Sequence, residues 1–199
     1  MKRLLDVVFS SVGLVVTSPL MIAAAVAVRA TSDGPVLFKQ ARVGRSGRSF
    51  DILKFRSMAV RAESSTGLRL VTVGGDSRVT RVGAILRATK IDELPQLWNV
   101  LRGDMSLVGP RPEVPEYVEL WDPSLRDIIL SVRPGITDPA SIAFRRESEM
   151  LERQEDQAAH YREVILPAKT LMYADYVRSR SLSGDLRILA ATIVSVVKD

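Results

Sequence analysis

Asp92 and Glu93 stand side by side in a stretch rich in positive charge, with Arg87, Lys90, Arg102 and Arg111 around them in sequence. Adjacent carboxylates have few chemical uses. Glycosidases hold theirs several ångströms apart across a sugar, which sequence neighbours do not readily do. A phosphoryl-transfer pair fits better. One carboxylate attacks phosphorus and forms an acyl phosphate, while the other holds Mg²⁺, a hard cation that prefers oxygen ligands and a substrate diphosphate. Arginines would carry the remaining phosphate charge. An Asp-Glu pair by itself also describes a solvated helix cap, so the reading depends on its setting.

Leu94, Leu97, Trp98 and Leu101 recur at helical spacing and predict a short helix with an inward apolar face. Asp92 suits its N-cap, Pro95 is tolerated in a first turn, and Gly103 is a natural stop. The pair is then expected at the positive end of a helix, where the dipole and the neighbouring cations favour ionised carboxylates. Val79, Val82, Ile85 and Leu86 predict an amphipathic helix over residues 77–87 that delivers Arg87. After the central helix, Pro110 and Pro112 stiffen a loop around Arg111, and Gly109 would let backbone come close to a ligand.

The chain of 199 residues is long enough for one domain with a proper core. Its formal net charge of +5 favours an anionic partner, among which charge alone does not choose. The absence of cysteine excludes disulfides, thiolate nucleophiles and cysteine zinc sites. His160 is the single histidine, without a triad signature around it, and reads as a solvated helix residue.

Residues 4–30 are almost uncharged between Asp6 and Arg29, long enough by themselves for a membrane span. Ser18-Pro19 interrupts the run, where proline removes a helical hydrogen bond to Val15. Lys2 and Arg3 flank one end and Arg29, Lys39, Arg42, Arg45 and Arg48 follow the other, which pulls both ends to the same side. A broken helix dipping into one leaflet and a kinked single span both satisfy this pattern.

Residues 36–44 and 49–58 around Arg45-Ser46-Gly47-Arg48 predict a β-hairpin. Its cations, Lys39, Arg42, Arg45, Arg48, Lys54 and Arg56, are expected on anionic phospholipid, although Lys54 and Arg56 could instead reach the carboxylates. Residues 59–76, with Ser64-Ser65-Thr66-Gly67 and Gly74-Gly75, predict a loop. Residues 114–132 predict two helices parted near Asp122-Pro123, residues 133–137 a tight turn, and residues 147–162 an exposed charged helix. Helix continues over 170–177, with Tyr173 and Tyr176 at the interface or in the core. Residues 186–197 predict a core or interfacial helix too short to span.

Taken together, Lys2-Arg3 with Asp6, Ser18-Pro19, Lys54-Phe55-Arg56-Ser57-Met58, Arg87 ahead of Asp92-Glu93-Leu94-Pro95-Gln96-Leu97 with Asn99, residues 103–112 (GDMSLVGPRP) and Arg133-Pro134-Gly135-Ile136-Thr137 resemble the bacterial sugar transferase family. The chain is similar to its small monotopic phosphoglycosyl transferases. Asp138-Pro139-Ala140-Ser141 departs from the family pattern, which puts substrate contacts of that loop in doubt.

The resemblance implies transfer of a phospho-sugar from a UDP-sugar to polyprenol (undecaprenyl) phosphate, releasing UMP, through a covalent intermediate on Asp92. It implies Glu93 in support, Mg²⁺ held by Asp92 and Glu93, and phosphate contacts from Arg87 and Arg111. It also implies a re-entrant helix broken at Ser18-Pro19, with the catalytic part on the cytoplasmic face of the bacterial inner membrane. The expected architecture is mainly α with a small β-hairpin: residues 1–30 form the membrane helix and residues 31–199 a catalytic domain with interfacial helices. A non-catalytic module binding anionic lipid is the alternative, and an aspartyl-phosphate phosphatase a second. Nucleic acid is not expected, since the aromatic residues are not interleaved with the basic ones. The sequence leaves a homodimer open.

Overall fold

The computed structural model describes residues 1–59 and 78–197, with side chains as far as residue 195. The loop expected over residues 59–76 falls almost wholly outside the described residues. The first helix, α1 (Lys2–Thr31), carries Pro19 without interruption, so the expected break does not divide it into two limbs. The reason is local. Pro19 has no amide to offer the Val15 carbonyl, and Ser18 Oγ donates to that same oxygen at 2.8 Å.

α1 lies along the body rather than away from it. Asp6, Ser10, Gly13, Thr17, Met21, Ala24 and Val28 share one face at helical spacing, and all are buried or half-buried. Near its start, Asp6 accepts from Ser106 Oγ and from the Leu107 amide at 3.1 Å. Midway, Gly13 faces Leu97 so closely that an added Cβ would lie 3.2 Å from its Cδ1. Towards its end, Ala24 and Val28 pack with Phe55 and Leu86. The opposite face exposes Leu4, Val8, Val12, Val15, Ile22 and Val26. By length and composition α1 is the one described helix able to cross a membrane.

The hairpin expected from the sequence is present. β1 (Leu37–Val43) pairs antiparallel with β2 (Ser49–Phe55), from Leu37 opposite Phe55 to Val43 opposite Ser49. Its cations divide. Lys39, Arg45 and Arg48 are exposed, whereas Arg42, Lys54 and Arg56 turn to internal partners and are not lipid contacts.

The next helices are α2 (Arg81–Ala88), capped by Thr80 Oγ1, and α3 (Gln96–Arg102). α3 corrects two expectations. Its buried face is Gln96, Asn99 and Val100, while Trp98 is 52% exposed and Leu94, Leu97 and Leu101 are only half-buried. The polar side turns inward because Asn99 completes the sheet edge: its Oδ1 accepts from the Leu53 amide at 3.0 Å and its Nδ2 donates to the Asp51 carbonyl at 2.8 Å. The N-cap is Pro95, not Asp92.

A second sheet was not legible beforehand. β3 (Ser106–Val108) and β4 (Gly135–Thr137) form a short parallel pair, with Ser106 opposite Gly135 and Val108 opposite Thr137. The residues expected as a tight turn thus end in a strand. Gly109 and Gly135 exist for this contact: a Cβ on Gly135 would lie 2.1 Å from the Gly109 nitrogen. Gly109 therefore admits neighbouring backbone rather than a ligand.

Between these strands run α4 (Pro115–Val118) and α5 (Pro123–Leu130), parted at Asp122-Pro123 as expected. The rest is helical: α6 (Pro139–Ala143), α7 (Glu147–Glu152), α8 (Gln157–His160), a π-helical turn (Tyr161–Ile165), α9 (Leu166–Ser179) and α10 (Leu182–Val197). The segment expected as one exposed charged helix is broken and contributes Leu151 and Tyr161 to the main core, with Tyr117, Trp121, Ile129 and Tyr173. Tyr173 and Tyr176 are thus core residues. The described residues are mainly helical with two small sheets.

Candidate active site

Lys90 adopts a left-handed conformation (φ 58°) at the end of α2, uncommon for a residue with a side chain. The chain reverses there into a 3₁₀ turn, Ile91–Glu93, that carries both carboxylates. They have different fates. Glu93 Oε1 receives Arg111 Nη2 at 2.5 Å and Lys54 Nζ at 2.6 Å, and Arg111 Nη1 reaches Oε2 at 3.4 Å. Asp92 is only 6% exposed, and its Oδ1 has no hydrogen-bond partner among the described residues.

The electrostatics follow from this asymmetry. Burial would raise Glu93, but the charges and hydrogen bonds of Arg111 and Lys54 outweigh it and hold the carboxyl well below the usual glutamate value. Burial pushes Asp92 up, the charge of Glu93 beside it adds to that, and Lys54, Arg87 and Lys90 oppose without cancelling. The expectation that a helix N-terminus would favour ionisation of Asp92 is therefore overturned: it is not at a helix N-cap, and desolvation dominates. Burial also lowers the Lys54 ammonium, against the pull of Glu93.

Of the expected phosphate ligands, Arg87 donates through Nε to Ser57 Oγ at 2.7 Å and acts on Asp92 by charge, while Arg111 and Lys54 clamp Glu93. Arg56 is not brought to this group. Its guanidinium donates to the Pro35 carbonyl and, at 2.7 Å, to both Ser32 oxygens, tying the end of α1 to the hairpin. Ser18 and Pro19 lie within α1, away from the carboxylate pair.

A cavity of about 390 Å³ opens beside the pair, with Lys90, Glu93 and Arg111 on its polar side and Leu94, Leu97 and Ile142 on its apolar side. That volume lies in the range of sites for small organic ligands. Asp92 borders this cavity in sequence but is not among its wall residues. Two further wall residues were not expected at the site from the sequence. Lys169 on α9 is buried, paired with Glu147, and lies 5.3 Å from the Tyr161 ring centroid. Thr137 meets Thr192 at 2.7 Å and joins β4 to α10. Nothing in local spacing marks either, since both arise from segments far apart in sequence. Gln96 is a third surprise: it is fully buried with neither side-chain polar atom partnered among the described residues.

The departure at Asp138-Pro139 has a structural reason. Asp138 is fully buried, and its carboxylate accepts from the Ala140 amide at 2.7 Å and from the Ser141 amide and hydroxyl, so it starts α6 rather than facing the cavity.

Metal binding finds limited support in the protein alone. No group of three or more His, Cys, Asp or Glu side chains is gathered among the described residues. Asp92 Oδ1 is a buried carboxylate oxygen without a hydrogen-bond partner among the described residues, and one carboxylate with substrate phosphates suffices for Mg²⁺. Glu93 fits less well, because two cations already occupy it.

Residues 1–199 match the family described as bacterial sugar transferase. The chain is 39% identical, over 98% of its length and 69% of the relative's, to the UDP-glucose:undecaprenyl-phosphate glucose-1-phosphate transferase of Caulobacter vibrioides. It is 38% identical to the protein of the same name from Klebsiella pneumoniae, over 96% of this chain and 39% of the relative. To the UDP-N-acetylgalactosamine-undecaprenyl-phosphate N-acetylgalactosaminephosphotransferase of Aeromonas hydrophila it is 46% identical, over 71% of this chain and 33% of the relative. The chain thus spans well under half of the latter two. A match over the whole chain, with relatives of about 38% identity, places this chain in the bacterial sugar transferase family.

Proposed function

We propose that this protein transfers a sugar phosphate from a UDP-sugar to undecaprenyl phosphate, with Asp92 as the nucleophile. The observation that carries this is the contrast within the pair: Glu93 is fully engaged by Arg111 and Lys54, while Asp92 Oδ1 is buried and unpartnered among the described residues. In the first step a carboxylate oxygen of Asp92 bonds to the β-phosphorus of the donor. The bond from that phosphorus to the bridging oxygen breaks, and UMP leaves. In the second, a phosphate oxygen of the polyprenol phosphate attacks the same phosphorus, and the carboxylate of Asp92 departs unchanged.

Glu93 holds Arg111 at the wall of the cavity and Lys54 behind it, where the diphosphate charge must be met. Arg87 acts on the same region from α2. Asp92 Oδ1 and the donor's own phosphate oxygens would hold Mg²⁺, which supplies further charge neutralisation. The names of the relatives, with glucose in two and N-acetylgalactosamine in another, support a UDP-hexose donor.

The site would work on the cytoplasmic face of the bacterial inner membrane. Both ends of α1 touch the same body and its outer face is apolar, which supports seating on one leaflet, as a monotopic re-entrant element, over a full crossing. The phospholipid contacts then belong to that face.

UMP release in detergent, with Mg²⁺, undecaprenyl phosphate and a panel of UDP-sugars, tests the reading. The expected result is UMP that depends on one donor and on the acceptor, and that disappears in Asp92→Asn. Folded protein that releases no UMP from any donor would overturn it.

A further inference from the structure

A second cavity, of about 150 Å³, lies on another part of the molecule and shares no wall residue with the one beside Glu93. Lys2, Arg3, Arg45, Arg133 and Arg180 all line it, and Asp6 is the one acidic residue in its wall. The cations come from separate parts of the chain: the start of α1, the hairpin turn, the segment before β4 and the α9–α10 junction. Convergence of five like charges is electrostatically unfavourable without a counter-charge.

The acidic residue does not supply it. Asp6 faces inward and is held by Ser106 Oγ at 2.9 Å and by the Leu107 amide. Lys2 is partly neutralised by Asp185 at 2.5 Å. Two arginines are fixed in place by backbone carbonyls. Arg3 donates to Val100 at 2.6 Å and Leu101 at 2.9 Å, and Arg133 donates through Nε to Gly103 at 2.8 Å. A guanidinium has five N–H donors, so these bonds orient the groups and leave donors to spare. Arg45 and Arg180 stand at the exposed edge.

We propose that this cavity is a binding site for a phosphate group, separate from the carboxylate pair. Its volume is about that of five water molecules, enough for one tetrahedral anion and below the range of sites that enclose a nucleotide-sized ligand. Arginines held by backbone offer the paired donors that a phosphate accepts. The phosphate could belong to a lipid headgroup, since Leu4 and Leu186 expose apolar surface on the neighbouring helices, or to a soluble ion.

Hydrogen–deuterium exchange on the full chain in a nonionic detergent tests this by location. Inorganic phosphate is titrated in one arm and dihexanoylphosphatidylglycerol in the other. Saturable protection of residues 45–47 and 131–133 is expected. In the double variant Arg45→Ala/Arg180→Ala, the concentration needed rises by about tenfold per arginine, the low end for charge-assisted hydrogen bonds. Arg45→Lys/Arg180→Lys recovers part of the loss. Any protection near residues 87–93 is unchanged by either variant, which separates this site from the one that bears Asp92. Protection in the lipid arm alone assigns a headgroup site, in the phosphate arm alone a soluble-ion site, and in both arms a general phosphate site. Absence of saturable protection at these segments in both arms overturns the proposal. So does protection that the alanine pair leaves unaltered in protein whose α9 amides exchange as in the wild type.

Discussion

Arg111 Nη2 lies 2.5 Å from Glu93 Oε1, and that contact sets Glu93 apart from the aspartate beside it. With Lys54 on the same oxygen, Glu93 is paired, while Asp92 is buried with its Oδ1 unpartnered among the described residues. Pairing lowers the one carboxyl and burial raises the other.

Asp92→Asn should reduce UMP release by at least about 10³-fold, as expected for loss of a nucleophile acting within a unit. Intact mass measurement after donor is added without acceptor should find one phospho-sugar on the wild type and none on the variant. A variant that still carries the label would remove Asp92 from the role.

Glu93→Ala should cost more than the contact itself, because it leaves Arg111 and Lys54 unpaired in a largely buried setting. The groups keep some solvent access, so the lower end of the usual penalty applies, about 3 kcal/mol. Chemical denaturation reads it. The pH dependence has a definite sign. The folded-state value of Glu93 is depressed, so its stabilisation is complete above the unfolded glutamate value of about 4.3 and fades as pH falls towards the folded value. The wild type should lose this advantage over the variant only in acid.

The acid limb of the rate profile should report Asp92. Burial and then Glu93 raise its carboxyl, so activity should fall with acid from a higher pH than an ordinary aspartate would give. Lys54 opposes that rise, and Lys54→Met should move the limb further up. UMP release measured against pH checks both, and a limb that moves down in the variant would contradict the assignment.

Asp6→Ala should destabilise the docking of α1, although Asp6 lies in a run that reads as a membrane segment. It would leave Ser106 Oγ and the Leu107 amide without their acceptor, at a cost of about 1–3 kcal/mol. Thermal unfolding in detergent should show the loss, with activity retained below the transition.

Much of the local structure was legible because its causes are local. The hairpin follows from two extended runs around Arg45-Ser46-Gly47-Arg48, and the α4–α5 division follows from Asp122-Pro123. The apolar run at residues 4–30 gave α1, and Ser18 beside Pro19 already contained the hydroxyl that repairs the proline gap. The Asp92-Glu93 pair with Arg87, Lys54 and Arg111 was legible as residue types, and the structure brings all of them together.

Position in the fold changed what several residues do. Arg56 belongs to the same five-residue motif as Lys54, yet one closes on Ser32 and the other on Glu93, since Lys54 lies within β2 and Arg56 just beyond its end at Phe55. Apolar spacing in α3 suggested an inward face, but burial went to Gln96 and Asn99, because Asn99 could satisfy backbone groups of β2 that leucine could not. The sequence by itself determined which groups carry charge, where the hairpin turns and α4 parts from α5, and that a carboxylate pair sits among cations. Only the tertiary structure decided which carboxylate those cations neutralise and which is left open, because desolvation and pairing depend on segments that meet through space: Lys54 from β2, Arg87 from α2 and Arg111 from the loop after β3.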